Sequence, residues 1–199
     1  MASDFLNEIK HYNIRPAKPQ PDKCALLVID MQEYFRPIAS AIIGNILSLI
    51  KACRSSETQI FYTRHGHKDI SKDGGMLDKW WGDLIHYGTP EWEIIKELLS
   101  SDTDVIIDKN RYSVFWGTGL DERLKSGNIE EVIITGVMTN CCCETTARDA
   151  FVRDYRVFFV GDATATVNSE LHTASLKNLA YGFAHVVSTR ELCEHLNFF

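Results

Sequence analysis

Residues 131–151 read EVIITGVMTNCCCETTARDAF, and the fold turns on how this stretch is read. EVIIT is a short β-branched apolar run of the kind that forms a buried strand. GVMTN breaks that pattern, and ETTARDAF continues at helical spacing. A strand, a tight turn and a helix in so few residues put the turn at the carboxyl end of a strand. They also put the helix N-terminus inside that turn. Open α/β sheets bind ligands along this edge. Cys141, Cys142 and Cys143 fall in the first helical turn, where free backbone N–H groups and the helix dipole favour a thiolate. The stretch is expected to carry a nucleophile.

Outward from it, the same alternation repeats. CALLVID at 24–30 is a near-continuous apolar run and reads as a central parallel strand. QIFYT at 59–63, DVIID at 104–108, RVFFV at 156–160 and HVV at 185–187 read as further strands. Helical spacing appears at 39–54, 119–126 and 170–181, and 190–196 closes the chain. Six strands alternating with helices predict an α/β three-layer sandwich. Its mostly parallel six-stranded sheet should carry helices on both faces. Residues 66–101 form a long connection in which only 91–99 looks helical, and its length suggests a lid or pocket wall. Residues 1–23 read as an N-terminal arm, since Pro16, Pro19 and Pro21 exclude a long helix. Such an arm can wrap a neighbouring subunit or lie on the surface. Residues 24–199 then form a single domain.

The bulk properties exclude several function classes. The 199 residues are 45% hydrophobic, enough for one substantial core. The net charge of -6, with no Lys/Arg run, argues against nucleic-acid and acidic-membrane partners. No apolar segment looks long enough to span a bilayer, and the N-terminus lacks the apolar core of a signal peptide. Three of the six cysteines are consecutive, and neighbours pair only with strain, so no disulfide framework is expected. No Cys/His spacing of a zinc module occurs. A reduced, cytoplasmic, enzyme-sized domain fits these features.

In this topology Asp30 ends the first strand, Lys109 follows the third, and the cysteines follow the fourth. An acid, a cation and a thiol at one sheet edge make a nucleophile set: the carboxylate takes the thiol proton and the cation stabilises the charge. Taken singly, Asp30 is equally readable as a loop acid and Lys109 as a solvated lysine. The stripe Cys143, Ala147, Ala150, Phe151 follows the apolar face of a helix and assigns Cys143 to the core. Periodicity leaves Cys141 and Cys142 both open.

Four pieces together carry a family resemblance: LLVIDMQEYF at 26–35, KNRYSVF at 109–115, GVMTNCCCETTARDA at 136–150 and VGDATAT at 160–166. The chain resembles the isochorismatase-like cysteine hydrolases over the whole domain, with that family's Rossmann-like strand order. RHGH, GGMLDKWWGDLI, GVMTNCCCETTARDAF and RVFFVGDATAT look most like its plant nicotinamidase branch. The resemblance implies Asp30 as general base and acid, Lys109 as the catalytic lysine and Cys142 as the nucleophile. It also implies a non-proline cis peptide at Val137–Met138, with the backbone N–H groups of Met138 and Cys142 facing a developing oxyanion.

One departure concerns metal. Metal-containing nicotinamidases use an Asp and two His near the end of the second strand. Here His65 stands in place of the Asp, His67 matches one His, and no second family His follows at the usual place. His65 and His67 are therefore read as pocket or loop histidines, with no metal or other cofactor expected. Phe35, His65, Trp80, Trp81 and Tyr112 are candidates for a pocket that sandwiches a flat ring, although core and lid packing would use such aromatic residues equally well.

The expected function is hydrolysis of a small carboxamide through a thioester, nicotinamide to nicotinate and ammonia foremost. The same residues acting on a carbamoyl or ureido group form the alternative. Isochorismatase chemistry proper is a weaker rival, because it needs no nucleophilic cysteine. A non-catalytic thiol redox sensor would leave Asp30 and Lys109 unexplained. Family members are commonly oligomers, so a homo-oligomer is expected.

Overall fold

A computed structural model of the protein describes residues 4–99 and 104–196. The first three residues of the arm, the end of the 66–101 connection and the last three residues of the chain lie outside the described residues. Six strands form one sheet: β1 (Cys24–Ile29), β2 (Gln59–His65), β3 (Val105–Lys109), β4 (Glu131–Val137), β5 (Arg156–Ala165) and β6 (His185–Val187). All neighbours are parallel, in the order β3-β2-β1-β4-β5-β6. The chain lays β2 and β3 outward on one side of β1, then crosses to begin β4 on the other. The gap between the carboxyl ends of β1 and β4 is thus the topological switch point, the usual ligand crevice of such sheets.

The helices are α1 (Asp4–Ile9), α2 (Arg36–Ala39), α3 (Ile43–Ser55), α4 (Ile70–Asp73), α5 (Gly75–Trp81), α6 (Leu120–Ser126), α7 (Glu144–Val152), α8 (Ser169–Gly182) and α9 (Thr189–His195). β1 is buried along its whole length, which is why it reads as a continuous apolar run rather than an alternating one. Ala25, Leu27 and Ile29 pack beneath α1, α6, α7 and α8. Cys24, Leu26 and Val28 pack against α3 and α9 on the other face. Within the 23-residue helical run Glu33–Ser55, an 18-residue window at mean hydropathy 1.3 reaches membrane-span length and composition, which no segment of the sequence was expected to do. Its face of Ile46, Leu49, Ile50 and Cys53 is buried, so the fold uses it as a core helix.

The arm lies on its own domain. Phe5 and Leu6 pack on the core, and Ile9 is fully buried. Beyond them Asn13 Nδ2 donates to Val186 O (2.6 Å), and the Gln20 N–H donates to Glu131 Oε2 (2.8 Å).

The long connection differs from its reading. Residues 91–99 hold only 3₁₀ turns at Pro90–Trp92 and Lys96–Leu98, while the first half contains α4 and α5. The intervening residues are extended against the segment after β1. The Glu33 N–H donates to Glu93 O, and the Ile95 N–H donates to Met31 O, both at 2.9 Å. Those bonds withdraw the backbone from a helix, and Trp92, Ile95 and Leu98 are buried at three-residue spacing. Tertiary contacts override the local pattern here.

Gly136 holds the switch point together. It pairs with Ile29 across β1 and β4, and its φ is 115°. A Cβ there would lie 2.0 Å from Ile29 O. Gly136→Ala should therefore destabilise the protein by about 3 kcal/mol or more, read as a fall in the denaturant midpoint. An unchanged midpoint would show that the two strands can separate freely.

Candidate active site

The switch point gathers the three residues that the sequence spread over 112 positions. Asp30 follows directly on β1 with φ 49°. Lys109 is the last residue of β3. Cys142 sits in a π-helical turn, Thr139–Cys143, that joins β4 to α7. Lys109 Nζ donates to Asp30 Oδ2 at 2.6 Å and lies 3.5 Å from Cys142 Sγ. It also donates to Arg111 O at 3.0 Å. Asp30, Lys109 and Cys142 are all buried.

The surroundings fix these groups from behind. The Thr63 hydroxyl donates to Asp30 Oδ1 (2.5 Å) and accepts from the Asp30 N–H (3.0 Å). Gln32, fully buried, donates from Nε2 to His65 O (2.9 Å) and Trp92 O (2.7 Å), and its Oε1 accepts from the His65 N–H (2.8 Å). Sequence reasoning assigned no role to Thr63 or Gln32. Gln32 lay in view inside LLVIDMQEYF, but only the fold shows that it spans three segments.

Burial reverses one expectation. The position of the cysteines in a helical turn suggested a thiolate. Burial pushes the Cys142 thiol well above the ordinary range; Lys109 opposes this and Asp30 adds to it. The resting group is the thiol, which needs a base to remove its proton. Cys143 is fully buried in the core with Ala147 and Ala150, as its stripe implied, whereas Phe151 at the end of that stripe is exposed at the edge of the sheet-facing side. Cys141 borders the cavity, and burial raises its pKa too. Raised, enclosed thiols are poor redox sensors, which work as exposed thiolates. Burial also works against the Lys109 charge, yet Asp30 and Cys142 beside it hold its pKa above the ordinary value.

Cys142 opens into a cavity of about 460 Å³ bordered by Tyr34, Phe35, His65, Trp81, Tyr112 and Met138 among others. Four of the five pocket candidates are there: Phe35, His65, Trp81 and Tyr112. Trp80 is not. One step along α5 turns it away from the cavity, and it is 76% exposed. The Trp81 Nε1–H donates to Tyr112 OH (2.7 Å), and Tyr34 OH donates to Asp83 Oδ2 (3.0 Å). The wall formed by the long connection is thus tied to both sides of the opening. The Val137–Met138 peptide is cis. The Cys141 and Cys143 N–H groups donate to Met138 O at 3.1 and 3.2 Å.

His65 and His67 lie side by side, each with one buried ring nitrogen that has no hydrogen-bond partner among the described residues. Among the described residues no group of three His, Cys, Asp or Glu side chains converges as ligands. His67 Nδ1 faces Asp73 Oδ1 at 3.1 Å, and its ring packs edge-on against His65 with centroids 5.1 Å apart. This donor set does not fit a zinc ion, and no step below is routed through one.

Burial, reinforced by Lys109, pushes His65 down to about 3. An unfolded His65 gains its proton near 6.5, whereas the folded one gains it only near 3. Between those values the unfolded state binds the extra proton, so stability falls as pH falls through that window. His65→Asn should flatten this acid slope of the melting temperature relative to the parent. Parallel curves would show that His65 does not contribute to it.

Residues 24–191 match the family model described as the isochorismatase domain, and the chain belongs to that family. It is 48% identical over 186 residues to Nicotinamidase 3 of Arabidopsis thaliana, covering 92% of this chain and 93% of that protein. A cysteine hydrolase from Pseudomonas syringae pv. phaseolicola 1448A superposes with a TM-score of 0.86 at 28% identity, over 93% of this chain and 99% of the other. A pyrazinamidase/nicotinamidase from Streptococcus mutans UA159 does so with a TM-score of 0.74 at 30% identity, over 82% and 99%.

Proposed function

We propose that the protein is a cysteine amidohydrolase that converts nicotinamide to nicotinate and ammonia. The observation that carries this is the buried Asp30–Lys109 pair, 2.6 Å long, with Cys142 Sγ 3.5 Å from the same ammonium at the end of an aromatic-lined cavity. The 48% identity to a nicotinamidase supports the choice of amide.

The Asp30 carboxylate takes the Cys142 proton as sulfur attacks the amide carbon. Lys109 offsets the charge that develops on sulfur. Backbone N–H groups of Met138 and Cys142 hold the oxyanion. Asp30 returns the proton to nitrogen, the C–N bond breaks, and ammonia leaves a thioester on Cys142. Asp30 then takes a proton from water as it attacks the thioester; the C–S bond breaks, and nicotinate and the thiol are released. The ring of the substrate lies among Phe35, Trp81 and Tyr112.

Six free cysteines suit a reducing compartment, and a cytoplasmic site of action belongs to the same proposal. So does assembly into a homo-oligomer, which would cover the exposed Trp80 and Trp116 rings; light scattering reads the subunit count. The reaction is tested by ammonia release from nicotinamide beside a panel of ureido and carbamoyl compounds. Nicotinamide should lead the panel in kcat/KM by about tenfold or more. A ureide in first place would overturn the substrate while keeping the machinery.

A further inference from the structure

The cavity wall holds one buried polar side chain that the proposed chemistry leaves unused, His65. It is placed with care. Its backbone pairs beside Lys109 on β3, and β2 runs between the strands that deliver Lys109 and Asp30. Gln32 grips it on both backbone groups, at 2.9 and 2.8 Å. The His67 ring supports it edge-on. A ring so fixed is pre-organised for a directional contact.

The state of that ring can be worked out. Burial and the Lys109 charge keep it neutral, so it carries one N–H and one lone pair. Nδ1 is sealed and has no hydrogen-bond partner among the described residues. An orphaned buried N–H is rarer than an orphaned acceptor, so the proton belongs on Nε2. Since Nδ1 is the sealed nitrogen of a residue that borders the cavity, Nε2 is the one on the cavity side, where a ligand competes for it with the Arg111 carbonyl beside the ring. Three other donors around the cavity are committed: Tyr34 to Asp83, Trp81 to Tyr112, and the Thr166 hydroxyl to Asn140.

We infer that His65 is a specificity-determining residue: its Nε2–H donates to an acceptor nitrogen within the ring of a flat heteroaromatic carboxamide. This rests on the reading that a small carboxamide lies against Cys142. It adds a recognition of the ring that the nucleophile set does not supply. A homocyclic amide of the same shape would leave that N–H unmet in a closed site and be rejected.

The experiment compares nicotinamide with benzamide, which differs by a C–H in place of the ring nitrogen. The parent enzyme should favour nicotinamide in kcat/KM by about 10- to 100-fold. In His65→Phe, which keeps a ring and loses the donor, the preference should shrink to within about threefold. His65→Gln, which restores an N–H, should recover part of it. An unchanged preference in His65→Phe, or an equal fall for both amides, would overturn the inference. Comparing two substrates on one protein cancels a general loss of folding.

Calorimetric binding of both amides to Cys142→Ala, with and without His65→Phe, reads the same contact without turnover. The ratio of the two Kd values should collapse in the same way, and a ratio that stays put counts against His65. If the parent hydrolyses neither amide, the amidase reading fails, while this binding ratio still decides the role of His65.

Discussion

Cys142→Ala is expected to lower kcat for amide hydrolysis by at least about 10⁴-fold. The fold should survive. The substitution removes one sulfur from a buried site and leaves a small void, at a cost of about 1 kcal/mol. The Asp30–Lys109 pair is untouched by it, so the site keeps its charge balance. The informative companion is Cys141→Ser, since the two neighbours occupy the same turn and border the same cavity. Cys142 alone lies within 3.5 Å of the Lys109 ammonium. Cys141→Ser should therefore keep kcat within about tenfold of the parent. Equal losses in the two variants, measured as ammonia release, would mean that the turn rather than one sulfur carries the activity.

Lys109→Met should remove activity and stability together. Both side chains of the pair are fully enclosed, and removing one partner leaves a buried charge without compensation, at about 3–5 kcal/mol. Thr63 still holds one Asp30 oxygen, but a hydroxyl cannot balance a carboxylate. The double variant Asp30→Asn/Lys109→Met removes both charges. It should recover much of the lost stability in urea denaturation while staying inactive. A double variant no more stable than Lys109→Met would show that the loss came from packing. The pH dependence follows from the direction of the shift. The folded pKa of Lys109 lies above its ordinary 10.5, so the stabilisation is fully present below that value. It is lost only as pH rises through the folded pKa. Alkaline unfolding should therefore change in Lys109→Met, which lacks the titrating group.

Much of the architecture was legible because a buried parallel sheet writes itself as apolar runs. CALLVI and EVIIT are enclosed on both faces, and their lack of alternation identified them, although the strand runs on through Gly136 and Val137, which read as a break. The Cys143 stripe was legible for the same reason: a helix on a sheet has one apolar face. The site was legible only as a set of strand ends. What periodicity could not show was tertiary. Residues 93–95 give their backbone bonds to the segment after β1, so a helical pattern became extended chain. Trp80 and Trp81 are adjacent letters, but the helix turns only Trp81 toward the cavity. The helical placement of the cysteines argued for a thiolate, and the depth of the site, which no local window records, argued more strongly for the thiol. Gln32 and Thr63 were invisible as site residues because their partners come from other strands and loops.

The central claim is that Cys142 is the atom to which the acyl group passes. Peptide mapping of protein quenched in acid during turnover of nicotinamide tests it most directly. The expected result is a nicotinoyl thioester on Cys142, with Cys141 and Cys143 free. A nicotinoyl group on Cys141, or a Cys142 that stays unmodified throughout steady turnover, would contradict it.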